Sequence, residues 1–283
     1  MAKKYLLINL ALLLAVITIS GCSGGEQTKK TETAGLDELG KIAVVSREEG
    51  SGTRNVFADS LGFFDAATGL DKTREDCTVV KSGDDVLEAV ASDRAAIGYV
   101  SAGALDESET EVHSLTVEDD KLDRKFYLAY SGELSELEQD FLTYIQGAGQ
   151  EIVGEKYEPV KKTTTFLSGK PEGSIKIGGS SSVAELMQEL VDAYSEINTN
   201  ARIEVIVTDS TNGLTGAMSG TYDLGMSSRD LKDYEKELLE SVAIARDEIA
   251  VVVNKDNPLE AISAEELKDI YTGQIIDWKE LNE

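Results

Sequence analysis

The sequence predicts an α/β fold with mainly parallel sheets, and three observations carry that expectation. Short apolar runs of strand length recur along the chain, segments with a helical apolar stripe lie between them, and the strand-to-helix junctions are rich in glycine and small hydroxyl residues. The strand-like runs are Ile42 to Val45, Ala95 to Val100, Phe126 to Tyr130, Ile175 to Ile177, Ile203 to Val207 and Ile249 to Val253. The clearest helix carries Val183, Leu186, Met187, Leu190, Val191, Tyr194 and Ile197 on one stripe. A second stripe runs through Leu134, Leu137, Phe141, Tyr144 and Ile145. A third, Leu267, Ile270 and Tyr271, opens on the capping box Ser263-Ala264-Glu265-Glu266 and closes at Gly273.

In chain order, Lys3 and Lys4 precede an apolar stretch from Tyr5 to Ile19 that ends in Ile19-Ser20-Gly21-Cys22. That pattern predicts a bacterial lipoprotein signal over residues 1–21, cleaved before a lipidated Cys22, because the stretch is marginal for spanning a hydrocarbon core of ~30 Å. Residues 22–37 then read as the acylated cysteine and a solvated tether rich in Gly, Ser, Thr, Glu, Gln and Lys. The expected location is extracytoplasmic, on a membrane surface. With Cys22 acylated, Cys77 is the one remaining thiol, so no intrachain disulfide is expected; its place before Thr78-Val79-Val80 predicts a small core residue at a strand start.

The formal net charge is −26; without the two signal lysines, 25 basic residues stand against 53 acidic ones, or −28. Nucleic acid and acidic membrane partners are disfavoured. Capture of a small anion is not, because surface charges are screened within ~8 Å at physiological salt, so a local cluster of donors can dominate.

Four strand-to-helix turns supply such donors. Val44-Val45-Ser46-Arg47-Glu48-Glu49-Gly50-Ser51-Gly52-Thr53-Arg54 leads from a strand through a Gly-rich turn into a helix: the glycines let backbone N–H groups approach a ligand, Ser51 and Thr53 add hydroxyls, the helix start favours negative charge, and Arg47 supplies a cation. A nucleotide P-loop is excluded, since the spacing before a Gly-Lys pair is missing. Ile177-Gly178-Gly179-Ser180-Ser181-Ser182-Val183 repeats the logic, and Ser182-Val183-Ala184-Glu185 also reads as a capping box. Val207-Thr208-Asp209-Ser210-Thr211-Asn212-Gly213 and Asp223-Leu224-Gly225-Met226-Ser227-Ser228-Arg229 complete the set. In open α/β sheets ligands bind beyond the carboxyl ends of strands, where such turns converge.

These motifs, together with Val253-Asn254-Lys255-Asp256-Asn257-Pro258 and the Thr272-Gly273 to Trp278 and Leu281 pattern, resemble the phosphate-binding component of bacterial phosphate ABC transporters. The resemblance covers nearly all of the chain after residue 38. It implies a two-lobed periplasmic-binding-protein-like fold (type II), each lobe a mainly parallel sheet flanked by helices, with the ligand cleft between the lobes. The motif order differs: here the Gly-Ser-Gly-Thr half precedes the Gly-Gly-Ser-Ser-Ser half. A circular permutation is therefore expected, with the family's original ends joined through residues 161–173. The implied lobes are 38–121 plus 247–283, and the continuous 122–246, with hinge crossings near Lys121 to Lys125 and Ala245 to Ile249. Carried over by position, the resemblance implies phosphate contacts from Arg47, Ser51, Gly52, Thr53, Ser181, Ser182, Ser210 and Ser228, with Glu49 and Thr211 as weaker candidates. Ser228 departs from the pattern, because many family members carry there an aspartate that accepts the proton of hydrogen phosphate. A site of neutral donors plus one arginine also suits sulfate. The implied partners are inorganic phosphate and the permease subunits of a transporter, with the chain itself a monomer.

Other classes fit less well. A hydrolase needs a nucleophile beside a base, and the only histidine, His113, sits in a polar stretch read as a surface loop. No zinc or EF-hand spacing is present, so neither metal nor cofactor is expected. The acidic runs Glu107 to Asp120 and Glu235 to Glu240 read as solvated faces. A sensory or surface protein of the same fold is the remaining alternative.

Overall fold

The structure, a computed structural model, describes residues 35–65, 68–106, 111–118 and 122–282. The signal segment, Cys22, most of the tether, residue Lys121 at the first hinge crossing and parts of the 107–120 acidic run lie outside the described residues.

The chain enters through strand β1 (Ala43–Arg47), helix α1 (Gly52–Ser60) and the short pair β2 (Phe64–Asp65) and β3 (Leu70–Asp71). It continues through β4 (Thr78–Val80), α2 (Gly83–Ser92), β5 (Ala96–Ser101) and β6 (Val112–Glu118). Strand β7 (Asp123–Tyr130) leads to α3 (Glu136–Ile145), α4 (Gln150–Lys156) and β8 (Glu158–Pro159). Then come β9 (Gly173–Ser180), α5 (Ser181–Ile197), β10 (Ala201–Thr208), α6 (Ser210–Ser219), β11 (Leu224–Ser227) and α7 (Asp233–Lys236). Strand β12 (Glu240–Asn254), β13 (Ala261–Ser263) and α8 (Ala264–Thr272) close the chain.

The main sheet runs in the order β10-β9-β11-β7-β12-β5-β1-β4. Its two ends are parallel: β10 and β11 flank β9 on one side, and β5 and β4 flank β1 on the other. Antiparallel pairing is confined to the middle, where β7 pairs β11, and β12 pairs β7, β8, β5 and β6. The parallel expectation thus describes each end of the sheet, and β12 is what the sequence pattern underestimates. Its first half (Glu240 to Glu248) breaks a short apolar stretch, Val242 to Ala245, with exposed polar residues on both sides, so only Ile249 to Val253 stands out as a run.

The apolar core falls into separate clusters. One is built from residues between Phe126 and Ala245, including the buried α5 stripe of Val183, Leu186, Met187, Leu190, Val191 and Tyr194. Another draws on Leu36 to Leu122 and Ile249 to Trp278. In the latter, Phe57 of α1 stacks on Tyr99 of β5 with ring centroids 4.1 Å apart and meets Tyr271 of α8 edge-on at 4.7 Å. Aromatic contact of this kind fixes the position of α1 against the sheet. Cys77 is half-buried against this cluster, and burial raises its thiol above the ordinary range.

The end chemistry expected from sequence holds at α8 and fails at α5. Ser263 and Glu266 form the expected capping box of α8, and Gly273 closes it at φ 79°. At α5 the expected box on Ser182 is absent: Ser180 takes the N-cap position without a side-chain cap bond, and the Ser182 hydroxyl is engaged elsewhere. Two further expectations are corrected. His113 lies on β6, not in a loop, with its Nε2 2.9 Å from the Leu259 carbonyl oxygen, because Val112 and Leu115 turn that stretch into a half-buried strand. Glu235, expected on a solvated face, is 1 % exposed and held by Arg229, which donates from Nη1 and Nη2 at 2.8 Å each. Burial pushes this carboxyl up, but the bonds from Arg229 and from the Lys232 N–H hold it below the usual range.

Candidate functional site

The ends of β1, β9 and β11 and the start of α6 meet at one place, which is where the glycines matter. Gly52, the first residue of α1, approaches so closely that an added Cβ would collide with the Ser210 and Ser228 hydroxyls. Gly50 comes equally near the Asp209 carboxylate, and Thr211 donates both its N–H and its hydroxyl to the Gly50 carbonyl, each at 3.2 Å. Gly179 has φ +142° with its Cα pressed on the Met226 backbone, so β9 and β11 can bring their terminal serines side by side.

Arg47, at the carboxyl end of β1, is 1 % exposed. Its Nε and Nη2 donate to both carboxylate oxygens of Glu48 at 3.0 Å, and Nη2 also reaches the Lys81 carbonyl at 2.8 Å and the Ser181 hydroxyl at 2.9 Å. Its Nη1 is buried with no hydrogen-bond partner. An unpaired buried donor on a cation is costly unless an anion meets it. Behind it, the Tyr99 hydroxyl accepts the Arg47 backbone N–H at 3.2 Å and lies 2.9 Å from Ser46 Oγ; burial pushes that phenol up to about 12. Ser51 is the N-cap of α1, with Oγ accepting the Arg54 N–H at 3.3 Å.

Facing these groups is a knot of serines. Ser180 donates to Ser228 Oγ at 2.9 Å, Ser228 Oγ lies 3.3 Å from Ser210 Oγ, and the Ser228 N–H donates to Ser210 at 3.0 Å. All three are buried, whereas Ser181 and Ser182 are half-buried at the first turn of α5. Ser182 Oγ is 2.8 Å from Thr53 Oγ1. The starts of α1, α5 and α6 therefore lie side by side, and helix dipoles and hydroxyls together favour an oxyanion there.

Of the residues singled out from sequence, Arg47, Ser51, Gly52, Thr53, Ser181, Ser182, Ser210, Ser228 and Thr211 gather here; Glu49 stands at the rim, beside Gly50 and Thr211. It is exposed, and Glu48 is the acid that pairs with Arg47. Sequence reading missed a second cation. Arg124 of β7 is buried, donates from Nη1 to Thr53 Oγ1 at 2.6 Å, and from Nε to Asp247 Oδ2 of β12 at 2.8 Å, with Nη2 also 2.8 Å from that oxygen. Burial pulls its guanidinium down and Asp247 opposes that. In the sequence it stands in Asp123-Arg124-Lys125, which has the look of an ordinary charged surface stretch.

A family described as a PBP superfamily domain matches residues 164–283. The chain is 34 % identical over 288 residues to the phosphate-binding protein PstS 2 of Streptococcus pneumoniae, covering 95 % of this chain and 98 % of the relative. The protein of the same name from Streptococcus agalactiae is 33 % identical with the same coverage. Among solved structures, a phosphate-binding protein of a phosphate ABC transporter from Streptococcus pneumoniae superposes with a TM-score of 0.69 at 36 % identity, over 85 % of this chain and 99 % of that one. With a site of converging helix starts, a buried arginine and a serine knot on this fold, the chain belongs to the PstS family of phosphate-binding proteins.

Proposed function

We propose that this chain captures inorganic phosphate outside the bacterial cell membrane, held there by lipid on Cys22, and delivers it as a monomer to the permease of an ABC transporter. The observation that carries the reading is Arg47, buried to 1 % exposure with Nη1 unpartnered and Nη2 bonded to Ser181. A tetrahedral dianion offers the acceptor oxygens that this cation and the neutral hydroxyls require. The role is binding, not catalysis.

The lobes of this reading are residues 38–121 plus 247–283, and 122–246; the segregation of the apolar clusters on either side of Leu122 to Phe126 and Ala245 to Ile249 supports them. Circular permutation is part of it too. The family match begins at residue 164, inside the 161–173 segment expected to join the original ends. Sulfate is the second ligand to test, because Ser228 offers a neutral hydroxyl where a carboxylate would reject an unprotonated oxygen.

Titration calorimetry on the domain starting after the tether separates these ligands. Phosphate binding is expected for the wild type, with a loss of about 100-fold or more in Arg47→Ala, the size of removing a charge-assisted pair. No heat with phosphate would end the proposal, equal affinity for sulfate would replace its ligand, and turnover of a chromogenic phosphate ester would overturn its non-enzymatic character.

A further inference from the structure

Arg124 and Asp247 are direct cross-strand partners in the β7–β12 ladder, at the place where both strands pass between the two apolar clusters. Their side chains are each 1 % exposed. Asp247 is satisfied from three sides: by Arg124, by the Ser101 hydroxyl at 2.8 Å and by the Gly103 N–H at 3.2 Å. Arg124 donates from Nη1 to Thr53 Oγ1 of α1, itself 1 % exposed, while its buried Nη2 makes no hydrogen bond. A guanidinium has donors only, so it occupies a lone pair of Thr53 and its charge turns the hydroxyl proton away from itself. The side of Thr53 left for that proton is the one where Ser182 Oγ lies at 2.8 Å, at the opening turn of α5.

We infer that Arg124 is a positioning residue for the anion site: anchored by Asp247, it fixes Thr53 as a proton donor towards the bound oxyanion. The consequence for the ligand is specific. The oxygen facing Thr53 must be an acceptor, so a protonated or alkylated oxygen is disfavoured at that position. The inference rests on the phosphate-capture reading and adds to it a group that acts on the ligand through Thr53.

The test is a double-mutant cycle read by calorimetry with inorganic phosphate. Arg124→Gln with Asp247→Asn removes both charges together, so no buried ion is left alone. This pair is expected to weaken phosphate binding by about 10- to 100-fold in the wild-type background. In a Thr53→Val background, where the hydroxyl is gone and the shape kept, the same change is expected to cost less than about 3-fold. Arg124→Lys, which keeps a charge opposite Asp247 and can still donate a single bond, is expected to recover part of the loss and serves as the second variant should the paired change not fold. Equal losses in both backgrounds would overturn the inference, since they would mean that Arg124 acts on the frame and not through Thr53. A wild type that fails to bind phosphate would overturn the functional reading instead, and the two failures are distinct in the first titration.

Discussion

The two sides of the site are built to opposite plans. On the α1 side the donors are charged: Arg47, and Arg124 behind Thr53, each with a carboxylate partner, Glu48 and Asp247. On the α5, α6 and β11 side they are neutral, a chain of hydroxyls that satisfy one another. Glycines stand on both sides, yet to different ends. Gly50 and Gly52 let the charged turn reach across, while Gly179 and Gly213 let neighbouring backbones on the serine side touch. The contrast teaches that attraction is concentrated on one face and shape on the other, so damage to each should read differently.

The largest effect is expected from closing the gap between the faces. Gly52→Val would put carbon where the Ser210 and Ser228 hydroxyls sit, and phosphate affinity should fall by about 100-fold or more while the melting temperature changes little, because the strain is relieved by parting the faces. Retained affinity in calorimetry would break the picture of two surfaces pressed together at Gly52.

A smaller effect tests the support of the neutral face. Arg229 follows Ser228 directly and is held by the buried Glu235. Glu235→Gln should lower unfolding free energy by about 2 to 3 kcal/mol at neutral pH, the cost of breaking a buried pair. The sign of the pH dependence follows from the depressed carboxyl: its contribution is present above the ordinary value of 4.5 and is lost as pH falls through the lower value of the folded state. Denaturant titrations from pH 6 downward should therefore show wild type and variant converging in acid, and a gap independent of pH would count against the pairing.

The smallest effect concerns ligand choice. Ser228→Asp places a carboxylate among the serines, and competition binding should show sulfate weakened relative to phosphate by about 10-fold, since one oxygen must then carry a proton to meet it. An unchanged ratio would mean that this position does not face the ligand.

Most of this site is legible in the sequence because its signals are local. A strand end, two glycines and a hydroxyl before a helix lie within ten residues, and the turns around Arg47, Ser181, Ser210 and Ser228 each announce themselves that way. What escaped is what depends on distant partners. Arg124 meets Asp247 across 123 positions and Thr53 across 71, and neither acid nor base carries a mark of burial in its own neighbourhood. Glu235 reads as one more acid in an acidic run until Arg229 folds over it. Ser182 looks like a helix cap from its spacing alone, and only the approach of Thr53 gives its hydroxyl other employment. The same reason explains β12, whose polar first half becomes strand through pairing with β7 and β8 and not through any apolar rhythm of its own.

The main path of the sheet ends at β10 and β4, and these two strands differ in how they resist unwanted company. Strand β4 is three residues long, too brief to template another chain. Strand β10 spans eight residues, and Arg202 and Glu204 stand exposed along it. Charged side chains on an open rim discourage stacking between neighbouring molecules, and a formal charge of −26 adds mutual repulsion. Two copies that met rim to rim along β10 would have to bring these charges together.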